Sequence, residues 1–149
     1  MIKSLVVYYS LGGNTEVLAD KIKENLSSQG QEYDVLVLGK DTNYESVNIE
    51  AYELVFIGSP TYGKGNTPNY VSDYLRYIVK HNNFKLPKFS VFGTGDTQWK
   101  HYARAVDEIT YHLSKKTDVI RKLKIEQRPV SKRQLNEIKN YVDESLRRI

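Results

Sequence analysis

The sequence predicts an α/β fold with three layers, in which helices cover both faces of a doubly wound, five-stranded parallel sheet. Strand-like and helix-like patterns alternate along the chain, and parallel strands need helical crossovers of this kind. The first strand-like segment is nearly continuous in apolar residues, as is typical of a strand buried on both faces. With 149 residues and no recognisable linker, residues 1–149 are expected to form one domain.

The first half of the chain supplies three strands and two helices. Runs of β-branched and aromatic residues predict strands over 2–9, 33–38 and 54–58. Apolar residues at helical spacing predict helices over 14–26 and 71–79. The inward face of the second helix is predicted to carry Val71, Tyr74, Leu75 and Ile78.

The second half supplies two more strands and two more helices. Strands are predicted over 89–93 and, with a more polar pattern, over 119–125, and a helix over 102–113. Ser131 is expected to cap a last helix, because serine at this position can accept a bond from a free backbone N–H group. The apolar stripe of that helix is predicted to comprise Leu135, Ile138, Val142 and Leu146.

The composition excludes several classes of site. The chain has no cysteine, which excludes disulfides, thiol chemistry and cysteine-based zinc sites. Its three histidines show no metal-ligand spacing with nearby carboxylates, so no metal is expected. No apolar run approaches the roughly 20 residues of a membrane span, and the first residues lack a signal-peptide pattern. We therefore expect a cytoplasmic protein without a membrane partner.

The net charge of +4 is unevenly distributed. Residues 115–149 hold 11 Lys and Arg against 5 Asp and Glu, so this part carries +6 and the rest −2. The basic residues alternate with apolar ones, which is typical of a solvated strand and helix. Because there is no basic run and no aromatic stacking motif, a nucleic acid partner is not expected.

The loop after the first strand, SLGGNT, has the composition of a phosphate-binding turn. Ser10, Asn14 and Thr15 offer side-chain donors, and Gly12 and Gly13 allow a sharp turn that exposes backbone N–H groups. The next helix would point its unpaired N–H groups and its positive end at the same place. A turn that only caps the helix would explain the same residues, and the loop alone leaves both interpretations open.

Two further loops carry large aromatic residues among polar ones and glycines. Tyr62 lies in SPTYGKGNTP, after the third strand, and Trp99, the only tryptophan, lies in TGDTQWKHY, after the fourth. In open parallel sheets, ligands bind beyond the carboxyl ends of the strands, where these loops meet. Two aromatic plates beside a phosphate cradle would suit a flat, conjugated ring that carries a phosphate.

The sequence from Gly95 to Asp107, GDTQWKHYARAVD, resembles the G-D-S-x-Y-x-x-F-x-x-A-V-D stretch of the flavodoxin family. The likeness in the order of strands and helices extends over essentially the whole chain, and the uninterrupted pattern over 119–128 is similar to the short-chain type. The resemblance implies a sheet order of 2-1-3-4-5 and an FMN cofactor. It also implies a monomeric carrier of single electrons, without a substrate-converting site, between flavodoxin reductase or a similar donor and an acceptor redox enzyme.

The same resemblance implies which residues bind FMN. The phosphate would be bound by the first loop, the ring would lie between Tyr62 and Trp99, and backbone groups near Thr61, Gly63, Thr94 and Asp96 would meet its polar edge. Gly63 would allow the peptide flip that accompanies one-electron reduction in this family. The full candidate set is Ser10, Leu11, Gly12, Gly13, Asn14, Thr15, Pro60, Thr61, Tyr62, Gly63, Lys64, Thr94, Gly95, Asp96, Trp99 and Tyr102.

The chain departs from the family pattern in its phosphate loop, at Trp99, where tyrosine is usual, and in the charge of the flavin loops, and the charge keeps another function open. Gly12 stands where the family usually has a hydroxyl residue, and Lys64 and Lys100 stand in loops that tend to be acidic. The lysines would stabilise the fully reduced, anionic flavin, so the second reduction step would be easier. They would also suit an acidic partner. They are compatible with the flavodoxin-like activator of ribonucleotide reductase, which supplies an oxidant from reduced FMN.

Other classes on similar folds fit less well. A response regulator needs an acidic pair after the first strand and an aspartate after the third, where this chain has Tyr9-Ser10 and Ser59-Pro60. Quinone reductases tend to be longer. A binding module that has lost its cofactor stays open at this point.

Overall fold

The chain alternates strands and helices in the predicted order. The computed structural model describes residues 3–62, 65–80, 85–97 and 102–149. Its elements are β1 (Lys3–Tyr8), α1 (Asn14–Ser28), β2 (Glu32–Val37), β3 (Leu54–Pro60), α2 (Asn69–Lys80), β4 (Lys88–Gly95), α3 (Arg104–Leu113), β5 (Val119–Glu126) and α4 (Lys132–Arg147). Two short 3₁₀ turns, Tyr44–Ser46 and Ile49–Ala51, connect β2 to β3.

The five strands form one parallel sheet in the order β2-β1-β3-β4-β5, as predicted. Tyr8, at the end of β1, pairs with Val37 on one side and with Gly58 on the other. Pro60, at the end of β3, pairs with Thr94 near the end of β4. The strand order reverses at β1, so the loops after β1, β3 and β4 meet at one edge, where ligands bind in such sheets.

A separate apolar core lies on each face of the sheet. Leu5 and Val7 of β1 belong to the core under α2 and α3, whereas Val6 and Tyr8 belong to the core under α1 and α4. Successive side chains of a strand point to opposite faces, which is why the sequences of the central strands β1, β3 and β4 are mostly apolar. The predicted inward residues of α2 are all buried.

The last helix packs differently from the prediction. Leu135 is 39% exposed, and the buried residues of α4 are Ile138, Tyr141, Val142 and Ser145. The predicted stripe is therefore wrong at Leu135, which lies in the first turn of the helix. Ser145 is buried because its hydroxyl group is bonded, lying 2.6 Å from the Ser90 hydroxyl and donating to the Tyr141 carbonyl at 2.7 Å.

The caps and lengths of several elements also follow local chemistry. Ser131 caps α4 as predicted: its Oγ accepts from the Gln134 N–H group at 3.1 Å, and the Gln134 side chain accepts from the Ser131 N–H group. β3 is two residues longer than the apolar pattern indicates and β4 is three residues longer, because Ser59 and Pro60 of β3 continue the pairing with Gly93 and Thr94 of β4. Within the described ranges, no helix has the length and apolarity needed to cross a membrane.

Candidate functional site

The loop between β1 and α1 is a glycine turn that leads into an open helix end. Gly12 and Gly13 have φ angles of 80° and 93°, in the left-handed region that favours glycine. Gly13 is the N-cap of α1 and has no side chain with which to cap the first turn. Ser10 supplies one bond instead, since its Oγ accepts from the Glu16 N–H group at 3.1 Å. The turn therefore directs backbone N–H groups and the positive helix end towards solvent, as an anion site requires.

Thr15 connects this loop to the end of β4. Its hydroxyl group lies 2.8 Å from the Thr94 hydroxyl, and both residues are buried. Thr15 is predicted from the sequence as a donor to a phosphate, and in the structure its hydroxyl group is bonded to that of Thr94. The bond fixes the first loop relative to the third one.

The loop after β3 is fixed by backbone bonds and by Thr61. The Thr61 N–H group donates to the Thr94 carbonyl at 3.2 Å, and Thr61 Oγ1 accepts from the Ala105 N–H group at 2.9 Å. Tyr62 follows, and its N–H group donates to the Asn66 carbonyl at 3.1 Å. Pro60, the last residue of β3, is half-buried beneath this loop.

Tyr62 belongs to a small cluster of tyrosines at the edge of the site. Burial raises the pKa of Tyr62, and a hydrogen bond between the Tyr62 and Tyr9 hydroxyl groups raises it further. The Tyr9 ring lies against the Tyr70 ring, with 5.1 Å between centroids. The Tyr62 ring is held by these neighbours, yet it is still 38% exposed and available to a ligand.

The end of β4 approaches the start of α3 so closely that only glycine fits. A Cβ atom on Gly95 would stand 2.7 Å from the Ala103 nitrogen and 3.3 Å from a ring carbon of Tyr102. Ala103 itself has a φ of 47°, which is uncommon for a residue with a side chain. Tyr102 packs against the core beside this contact.

A residue that the sequence analysis missed completes the third loop. Gln127, just after β5, donates its N–H group to the Gly95 carbonyl at 2.7 Å and its Nε2 to Asp96 at 3.3 Å. Gln127 has a φ of 52°, an uncommon conformation outside glycine. In the sequence, the one signal for Gln127 is its position directly after a parallel strand, and the predicted site comprised only the loops after the first, third and fourth strands.

These three loops and Gln127 enclose a cavity of about 330 Å³ at the carboxyl ends of the strands. Its lining consists of Leu11, Asn14, Thr61, Thr94, Gly95, Asp96 and Gln127. Six of these seven residues belong to the candidate set from the sequence, so the structure brings the predicted loops together around one space. Gly63, Lys64 and Trp99 of the candidate set, and Lys100, lie outside the described residues.

A second cavity, of about 340 Å³, lies between α2 and α3. Its lining includes Leu75, Val79, Glu108 and His112. Glu108 is already engaged, because its carboxylate accepts from Thr67 at 2.7 Å and lies 3.6 Å from Arg104. Thr67, just before α2, and the cations Arg76 and Lys80 also line this cavity, but its lining among the described residues contains no glycine, so it lacks the glycine turn found at residues 12 and 13.

The residues at the strand ends fit a phosphorylated flat ring. The positive-φ glycines and the open start of α1 suit an anion, and the space between the Tyr62 loop and the Gly95–Asp96 backbone leaves room for a ring. The polar side chains that line this space are those of Asn14, Thr61, Thr94, Asp96 and Gln127, which could orient a ligand by hydrogen bonds.

Comparison with known proteins agrees with this geometry. The family model named flavodoxin matches residues 6–138. The chain is 29% identical over 137 residues to probable flavodoxin 2 of Bacillus subtilis (strain 168). This alignment covers 87% of this chain and 85% of the relative. The chain is 32% identical over 123 residues to a flavodoxin of Maridesulfovibrio salexigens, covering 80% of this chain and 82% of the relative. The crystal structure of oxidised flavodoxin 2 from Bacillus cereus has a TM-score of 0.87 and 27% identity, with 99% of both chains covered.

The family match spans most of the chain, and the sheet order and glycine turn agree with the resemblance noted in the sequence. This chain belongs to the flavodoxin family.

Proposed function

We propose that residues 1–149 act as one cytoplasmic domain that binds FMN and carries single electrons. The donor would be a flavodoxin reductase or a similar protein, and the acceptor a redox enzyme, with no substrate conversion by this chain. The observation that carries the proposal is the cavity at the strand ends, which is lined by Leu11 and Asn14 on either side of the glycine turn and by Thr61, next to Tyr62. Tyr62 itself lines a different cavity, of about 730 Å³. FMN, when bound, supplies a ring that accepts and releases one electron at a time.

The phosphate end of the proposed site is residues 10–15. Gly12 and Gly13 turn the backbone so that its N–H groups and those of the first turn of α1 can donate to phosphate oxygens. Asn14 lines the cavity and adds a side-chain donor. Leu11 is 60% exposed at the rim, where it would cover the ligand with an apolar surface.

The ring end of the proposed site is formed by the second and third loops. Tyr62 would pack on one face of the ring, in the orientation that Tyr9 and Tyr70 impose. Trp99 would pack on the other face, and Gly63 and Lys64 would meet the ring edge, as the sequence resemblance implies. Pro60 and Tyr102 would support the two loops from below.

The polar edge of the ring would meet Thr61, Thr94, Gly95 and Asp96. The backbone of this edge is well fixed, because Thr61 and Gly95 are bonded to neighbouring loops. The Asp96 carboxylate would place negative charge near the ring, which disfavours the accumulation of a second electron. An arrangement of this kind separates the two reduction steps and so favours single-electron transfer.

A second candidate function is activation of ribonucleotide reductase. It is favoured by Lys64 and Lys100, since a cation near the ring stabilises the fully reduced, anionic flavin. The two reduction steps would then lie closer together than in an electron carrier.

Stepwise anaerobic reduction of the FMN-loaded protein tests the proposal. The electron-carrier function predicts two resolved potentials, the second much lower than the first, with long-wavelength absorbance between them. The activator function predicts overlapping steps and rapid reaction of the reduced protein with oxygen. A protein that does not bind FMN would contradict both.

A matched pair of variants links the potentials to the proposed site. Tyr62→Ala should shift the potentials, because it removes an aromatic face from the ring. Tyr111→Ala removes a tyrosine that is 63% exposed on α3 and should leave them unchanged. If both variants had the same reduction potentials, Tyr62 would not be a contact of the ring.

A further inference from the structure

Arg128, in the turn after β5, lies against the glycine turn. A Cβ atom on Gly13 would stand 3.4 Å from Nη2 of Arg128. The guanidinium group therefore reaches from the opposite side of the site to the backbone that forms the proposed phosphate cradle. The sequence patterns do not connect these two residues, which are far apart in the chain.

The backbone on both sides of Arg128 is held in place. The preceding residue, Gln127, is bonded to Gly95 at 2.7 Å. The Val130 N–H group donates to the Arg128 carbonyl at 3.0 Å and to Gln134 Oε1 at 3.1 Å. The turn therefore presents Arg128 from a fixed position between β5 and α4.

The Arg128 side chain is exposed, and no carboxylate in the described part of the chain pairs with it. Most of its basic neighbours do have such partners. The pairs are Arg121 with Glu144, Lys124 with Asp107, Arg133 with Glu137, Lys139 with Asp143 and Arg148 with Glu144. The guanidinium is thus a cation at the cradle whose charge is not neutralised by a carboxylate of these residues.

We propose that Arg128 binds the phosphate of the cofactor and selects the phosphorylated flavin over the unphosphorylated one. The inference rests on the proposed function, because it assigns a residue to the phosphate end of that site. A guanidinium offers paired donors that match phosphate oxygens. Gly12 provides no hydroxyl donor in the turn, and Arg128 supplies a charged donor from outside it.

The test compares FMN with riboflavin, which has the same ring and no phosphate. Quenching of flavin fluorescence on addition of apoprotein gives both dissociation constants. For Arg128→Gln we expect FMN affinity to fall about tenfold, as for loss of a hydrogen bond to a charged group. Riboflavin affinity should stay within about twofold, since an exposed charge contributes little to binding a neutral ligand. Arg128→Lys should retain part of the FMN affinity.

Arg133→Gln is the matched control. Arg133 is an equally basic residue in the first turn of α4, and its side chain is 85% exposed. This variant should leave the affinities for both flavins unchanged. Circular dichroism and thermal unfolding would show that each variant is folded.

The wild-type protein provides an independent measurement that needs no variant. If a cation binds the phosphate, added salt should weaken FMN binding more than riboflavin binding. The inference would be overturned if salt weakened the binding of both flavins equally, or if Arg128→Gln lowered the affinity for both flavins equally. Either result would leave the proposed function intact. Wild-type protein that binds neither flavin would contradict the proposed function itself and the inference with it.

Discussion

The hydrogen bond between Thr15 and Thr94 gives a sharp test of how the site is held together. The two hydroxyl groups lie 2.8 Å apart, and both residues are buried, with 0% and 3% exposure. Thr15→Val has nearly the same shape but leaves the Thr94 hydroxyl without this partner. A buried polar group left unpaired costs about 1–3 kcal/mol of unfolding free energy. At this chain length that corresponds to a decrease in melting temperature of roughly 2–12 °C.

Urea unfolding of the apoprotein measures the effect in a double-mutant cycle of Thr15→Val and Thr94→Val. The double variant should be less destabilised than the sum of the single ones, because it leaves neither hydroxyl unpaired. Thr110→Val is the control, since the Thr110 hydroxyl bonds only to the Val106 carbonyl of its own helix at 2.7 Å. A coupling energy below about 0.3 kcal/mol would refute the reasoning.

Three further variants test the fold around the site. A Cβ atom at Gly58 would lie 2.0 Å from the ring of Phe92, so Gly58→Ala should lower the free energy of unfolding by about 1–3 kcal/mol, and a neutral result in urea would contradict that packing. Burial, then the bond to Asp34, raises the pKa of Tyr52 from 10.0 to about 12. The stability that this shift contributes is complete below pH 10 and is lost as the pH rises towards 12. In Tyr52→Phe, the midpoint of urea unfolding should therefore depend less on pH over that range than it does in the wild-type protein. Ser131→Ala removes the cap of α4 and should cost about 1 kcal/mol in thermal unfolding, whereas an unchanged melting temperature would show that the cap is dispensable.

The arrangement of the sheet was predictable because its chemistry is local. The three central strands, β1, β3 and β4, are buried on both faces, so their apolar runs are visible in the sequence and differ sharply from the loops that follow them. The inward faces of α2 and α3 follow helical spacing in the same way. Most of the cavity lining was found by the rule that ligands bind beyond strand ends.

The parts that were missed depend on contacts between distant residues. Leu135 was expected inside α4, but the burial of Tyr141 and Ser145 is set by Phe56 and Ser90 on the sheet. Gln127 lies in the site because of a left-handed conformation and two bonds to the loop after β4, neither of which leaves a mark in the local sequence.

The most direct test of the account is to map FMN binding by amide chemical shifts of the labelled apoprotein. The account predicts binding of one FMN per chain and the largest shifts at residues 10–15, 61–62, 94–97 and 127–128. The amides that line the cavity between α2 and α3, such as those of Leu75, Val79 and His112, should move little. Saturable shifts centred on that second cavity, with the glycine turn unaffected, would contradict the central claim.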